Sequence, residues 1–331
     1  MATSLIDMLD QWEVKMIAEF LSPFNALLLR ASCIKGATSN IVIGAVPMSD
    51  DEYGDRDPEW LLRCAAEGGH RELCILAREW GAIDFDSMLN YSARGGHRNI
   101  CVLAREWEVT DFNRMLGSAA GCADPVRARD LCILARKWLD AEDIMPDFSC
   151  MLHNAAVEGN RDLCELAYKW AREWWLKLSP AIRASASPMD FNDMLSCAAE
   201  CADPVRGRDL CILAREWLDT EHISPNFNDM INHAARGGQR DLCILAREWW
   251  REAMSKTTGA KPPPMNFDIM LSYAAKRGDR ELCILAREWG ATNFKWMFSS
   301  AAGCTDPIRA RDIRDLAREW DQLDVRASFS H

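Results

Sequence analysis

The chain has 331 residues, 49% of them hydrophobic and 27% charged, so it can bury a core and still keep a polar surface. Its formal net charge is −11, which argues against nucleic acid as a partner, because phosphate binders present a basic surface. No run of about 18 apolar residues is present, so no membrane span is expected. Met1 to Asp10 lacks a basic stretch followed by an apolar one, so no export signal is read there. That points to a cytoplasmic, reducing setting in which the 14 cysteines stay free thiols.

Residues 1–49 come first. Met8, Leu9, Trp12, Met16, Ile17, Phe20 and Leu21 fall mostly at helical spacings, and Ser22-Pro23 can close one helix and open another. Two or three short helices are predicted, too few for a core of their own. The string Ile17-Ala18-Glu19-Phe20-Leu21-Ser22-Pro23, then Leu27, Leu29-Arg30 and Cys33, resembles an F-box. The resemblance implies that Ile17, Phe20, Leu21, Pro23, Leu27 and Leu29 dock a Skp-type adaptor of a cullin ubiquitin ligase. Asp10 stands where that family has Pro, Trp12 where it has an acid, and the Lys-x-Trp that should follow is missing. The alternative is a helical cap on the repeats. Residues 50–59 form an acidic linker, or else a patch for a basic partner.

Residues 60–331 repeat. Leu-Cys-x-Leu-Ala-x-x-Trp recurs, with its cysteines at 74, 101, 132, 164, 211, 243 and 283, and an eighth copy has Ile313 before Leu316, Ala317 and Trp320. Its apolar positions make one helical face, and its cysteines read as small core residues. Ahead of these copies lies Asp/Asn-Phe-x-x-Met-Leu-x-x-Ala-Ala, as in Asp84 to Ala93, although the first copy departs with Pro58, Glu59 and Trp60 before Leu61 and Leu62. The Asp or Asn can cap a second helix by accepting a bond from a free first-turn N–H. Each unit is therefore a pair: a first helix of Phe, Met, Leu and Ala, and a second helix ending near Trp. Gly between them suits the left-handed residue after the first helix.

In three copies the step between the helices is four residues longer, and the insertion carries Asp124-Pro125, Asp203-Pro204 or Asp306-Pro307. Asp-Pro starts helices, so the second helix is predicted to begin one turn earlier there, with its buried face in phase. The connection from one pair to the next varies more, and is longest near residues 171–190 and 250–266. Trp174, Trp175 and Trp250 are candidate target anchors in these loops; a longer second helix that packs them is the other reading.

Ala65-Ala66-Glu67-Gly68-Gly69-His70-Arg71-Glu72-Leu73, then Leu76 and Gly81-Ala82, resembles an ankyrin repeat. The Thr-Pro-Leu-His opening is absent and the shortest spacing is 27 residues against about 33 in that family. Little room is left for its projecting hairpin. The expected fold is all-α, a solenoid of about eight stacked helix pairs with an N-terminal helical segment. The resemblance implies protein binding without catalysis or cofactor. An F-box-like segment joined to ankyrin-like repeats is similar to substrate adaptors of large DNA viruses. That leaves a ubiquitin-ligase adaptor with an unknown target, or a structural scaffold such as a viral particle component.

No catalytic constellation is evident. His70 and His97 read as turn residues. Cys197 and Cys201 are spaced C-x₃-C with no second pair to complete a zinc site. The Arg-Glu of Arg-Glu-Trp, as in Arg78-Glu79 and Arg215-Glu216, reads as a solvated face.

Overall fold

The computed structural model describes residues 58–178, 189–256 and 263–328, with side chains to Asp324. Among these residues there are sixteen α-helices, one 3-10 turn and no strand. In chain order they are α1 (Pro58–Glu67), α2 (Arg71–Glu79), α3 (Phe85–Arg94), α4 (Arg98–Glu106), α5 (Phe112–Ala120), α6 (Pro125–Ala141), α7 (Phe148–Val157) and α8 (Arg161–Lys177). They continue with α9 (Phe191–Glu200), α10 (Pro204–Thr220), α11 (Phe227–Gly237), α12 (Arg240–Lys256), α13 (Phe267–Arg277), α14 (Arg280–Glu288), α15 (Phe294–Ser300) and α16 (Pro307–Ser328). No described helix is long and apolar enough to cross a membrane.

The described residues fall into two compact units, one holding 58–65 and 70–84, the other holding 66–69 and the chain from Phe85 onward. In the smaller unit Leu61, Leu62, Ala65, Leu73, Cys74, Ala77 and Ala82 are buried. Pro58 and Glu59, expected in the acidic linker, open α1 instead. Glu59 accepts bonds from the backbone N–H of Ile83 at 2.7 Å and of Asp84 at 3.1 Å.

In the larger unit each odd-numbered helix packs on the even-numbered helix that follows, and also on the next odd-numbered helix. The odd helices start where a side chain satisfies a free first-turn donor. Asp111, Asp147, Asp190, Asn226, Asn266 and Asn293 accept from Arg114, Cys150, Asp193, Asp229, Asp268 and Trp296. Met88, Met115, Met151, Met194, Met230, Met270 and Met297 are all fully buried. At Gly117 the neighbouring odd helix comes so close that an added Cβ would lie 2.4 Å from Cys150 Sγ.

The four-residue insertions lengthen the even helices at their start. α6 and α10 begin at Pro125 and Pro204, with Asp124 and Asp203 each accepting two backbone N–H bonds, and Asp306 does the same ahead of α16. Leu131, Leu210 and Ile313 stay at most 1% exposed, so one extra turn leaves the buried face in phase. In the short turns Gly96 (φ +77°) and Gly278 (φ +72°) occupy the left-handed region, where a Cβ is costly. His97 fixes its turn through Nε2, 2.9 Å from the Glu67 carbonyl.

The motif cysteines are core residues. Cys74, Cys101, Cys132, Cys164, Cys211, Cys243 and Cys283 are fully buried, and all described cysteines are free thiols. Burial pushes Cys132, Cys164, Cys211, Cys243 and Cys283 up to about 12.

Candidate functional site

Two sets of side chains recur along the larger unit, and they differ in kind. The first set joins neighbouring pairs. Within a pair the first-helix Phe meets the second-helix Trp, as in Phe85–Trp107 at 4.9 Å and Phe294–Trp320 at 5.5 Å between ring centroids. The Arg two residues before one pair's Trp then covers the rings of the next. Arg105 lies 4.7 Å from the Trp138 ring, Arg136 5.0 Å from Trp170, Arg215 4.7 Å from Trp249, Arg247 4.5 Å from Trp289 and Arg287 4.6 Å from Trp320. Guanidinium over a ring face is attractive because the face carries negative quadrupole density. In the fourth copy Tyr168 stands at the Arg position and stacks on Trp217 at 4.5 Å. These arginines are thus joints, whereas Arg78, Glu79 and Glu216 are exposed as the solvated reading expects. The periodic Arg was visible in the sequence, but its partner lies in the following unit, which spacing within one copy does not reveal.

The Trp series is also less uniform than a core reading predicts. Trp138, Trp217 and Trp320, all in long even helices, are 6%, 8% and 5% exposed, whereas Trp80 is 41% exposed. Trp80, Trp107 and Trp289 end their helices as C-caps, while Trp170 and Trp249 are half-buried although α8 and α12 run on past them.

A second joint went unread in the sequence. The residue after the first-helix Phe reaches into the loop ahead of the next first helix. Asn192 accepts from Asn226 N–H at 2.7 Å and donates to the Ser224 carbonyl at 3.2 Å. Asn113 does the same with Asp147 N–H and the Met145 carbonyl, at 2.7 and 2.8 Å. Asn228 bridges Asn266 N–H and the Pro264 carbonyl, and Asp268 accepts from Thr292 and Asn293. The copy that opens at Asn293 has Lys295 there. The signal was an Asp or Asn on both sides of the Phe.

The second set lies on the odd helices, where residue identity changes from pair to pair. Arg114 and Trp296 are exposed and Tyr91, His153, His233 and Tyr273 half-buried. Polar links cross between neighbours here. Ser118 donates to Asn90, the Ser272 and Ser300 hydroxyls are 2.7 Å apart, and Glu200 is held by His233 at 3.1 Å and by Arg236. The densest group is His153 on α7 with Asp193 and Cys197 on α9. His153 Nδ1 is 2.8 Å from Asp193 Oδ2 and 3.2 Å from Cys197 Sγ. Burial, then the charge and hydrogen bond of Asp193, pushes the Cys197 thiol up to about 12. A thiol held neutral in this way is no activated nucleophile. The sequence offered only the incomplete C-x₃-C spacing of Cys197 with Cys201; it did not show His153, which comes from another helix, 44 residues away.

The target anchors expected in loops lie on helices. Trp174 and Trp175 belong to α8 and Trp250 to α12, all three half-buried. Both helices run on past the usual Trp, since the residues following it are good helix formers without Gly or Pro. Trp250 Nε1 donates to the Pro263 carbonyl at 3.0 Å and so fastens the later part of the connection that leads to α13. The expected docking residues Ile17, Phe20, Leu21, Pro23, Leu27 and Leu29, and the rest of the N-terminal segment, lie outside the described residues. No family model and no curated protein matches the chain.

Proposed function

We propose that the chain is a non-catalytic protein-binding scaffold. Its helix pairs would stack as an ankyrin-like solenoid, and its varied odd-helix surface would capture a target. The observation that carries this reading is the split between the two residue sets. The joints use the same few residue types in pair after pair, while the odd-helix surface changes at each step. Repeats that spend fixed residues on their neighbours and vary the rest suit an extended recognition surface. Half-buried Tyr91 and Tyr273 and exposed Trp296 and Arg114 are of the residue types that anchor protein interfaces.

The N-terminal F-box resemblance makes the scaffold a substrate adaptor. Ile17, Phe20, Leu21, Pro23, Leu27 and Leu29 would dock a Skp-type protein and the repeats would present the target to a cullin ligase. The test is a pull-down with the full chain against a purified Skp-type adaptor. Retention by the wild-type chain and loss with Leu21→Asp are expected. No retention by a bait whose helical circular dichroism is intact overturns the adaptor reading and favours the N-terminal helices as a cap.

A further inference from the structure

We infer that His153, Asp193 and Cys197 form a binding site for one divalent transition-metal ion, zinc being the best fit. The three donors come from two neighbouring helices. Asp193 and Cys197 are four residues apart on α9 and so share a face; His153 faces them from α7. Asp193 turns Oδ2 to His153 Nδ1 at 2.8 Å and Oδ1 to Cys197 Sγ at 3.7 Å, and Cys197 Sγ lies 3.2 Å from His153 Nδ1. Ligands of a tetrahedral zinc ion, at about 2.0–2.3 Å from the metal, are about 3.3–3.6 Å from one another. One donor atom from each of the three residues lies within 4.8 Å of the other two, and the two separations from His153 Nδ1 fall just below that range, so side-chain adjustments that spread the donors would admit a cation.

The donor types select the ion. One thiolate, one imidazole and one carboxylate form a borderline-soft set that suits zinc and disfavours magnesium or calcium, which take oxygen ligands. Among the described residues this is the one group of three such donors in mutual reach. Glu200, whose charge also reaches Cys197, is already held by His233 and Arg236. Three protein ligands leave a fourth position. The His153 and Asp193 side chains are 45% and 43% exposed, so that position opens to solvent and takes water. A structural zinc site is closed by four protein ligands; this one is not, and it tethers two neighbouring helix pairs on the varied face. A bound cation also reverses the local preference for a neutral thiol, because a coordinating cysteine gives up its proton.

Cobalt(II) serves as the probe, since a thiolate-bound tetrahedral ion absorbs strongly and zinc displaces it. The metal-stripped full chain is titrated with cobalt(II) and followed by absorption. One equivalent is expected to give thiolate-to-cobalt charge transfer together with intense visible bands, both lost on adding zinc. Cys197→Ser should abolish the charge transfer, and His153→Ala should weaken cobalt binding by tenfold or more. Cys201→Ser should behave as wild type. His153 is half exposed, so its variant keeps the fold even if Cys197→Ser does not. Absence of the bands at one equivalent, or their survival in His153→Ala, overturns the site.

Discussion

The joints and the odd-helix face are built from different kinds of residue, and each difference has a physical reason. At a joint, an Arg from one pair closes over the Phe and Trp of the next, and an Asn or Asp locks the intervening loop. Both contacts need fixed geometry, so the same residue types recur from Arg105 to Arg287 and from Asn113 to Asp268. On the odd helices Phe, Met, Leu and Ala make up most of the buried positions, and the outward positions are less constrained by packing. There the chain places Arg114, His153, His233 and Trp296 with no common chemistry. The joints therefore account for stability, and the open face is where specificity can reside.

Substitutions should separate the two regions, and the largest effect is expected at a well-covered joint. Trp217 is 8% exposed and packed between Tyr168 and Phe191. Trp217→Ala should cost roughly 3–5 kcal/mol, read as a lower midpoint in urea, whereas Trp80→Ala, at a 41% exposed position, should cost far less. Equal losses at the two would mean that coverage by the preceding pair does not matter.

Alkaline pH should weaken the same interior. Burial raises Cys132, Cys164, Cys211, Cys243 and Cys283 from 9.0 to about 12. Below pH 9 these thiols are neutral in both the folded and unfolded chain, and stability is unaffected. Above it the unfolded chain releases protons that the folded chain keeps, so stability falls up to about pH 12. Each such thiol contributes a slope of about 1.4 kcal/mol per pH unit. Melting temperatures at pH 8 and pH 10 check this; a Tm that does not drop between them would contradict the buried, neutral thiols.

The clamp comes next in size. Asn192→Ala leaves the Asn226 N–H and the Ser224 carbonyl without their partner and should cost about 1–2 kcal/mol by chemical denaturation. Ser149 occupies the equivalent place in α7, so Ser149→Ala should be close to silent. The smallest joint effect belongs to the cation. Arg247→Ala uncovers the half-buried Trp289 and should cost about 1 kcal/mol, with hydrogen exchange rising first in α13 and α14.

Much of this was legible in the sequence. The helix starts at Asp111 or Asn226, the one-turn extension at Asp124-Pro125 and the buried motif cysteines each follow from rules that act within a few residues. Contacts between units were not legible. Arg136 reads as a surface residue until Phe148 and Trp170 are seen beneath it, and Asn113 reads as a neutral helix position until the Met145 loop is placed beside it. Cys197 was noticed for a spacing with Cys201, yet its neighbours are Asp193, one turn back, and His153, on another helix. Trp174, Trp175 and Trp250 were assigned to loops because the distance between motifs is long there, while the helices simply continue.

The central claim is that the joints hold the array and the varied face does not. Its most direct test compares the urea midpoints of Trp217→Ala and of an Arg114→Ser, Trp296→Ser double variant, both in the full chain. The account predicts a large drop for the first and a midpoint within error of wild type for the second. A double variant as destabilised as Trp217→Ala would contradict it.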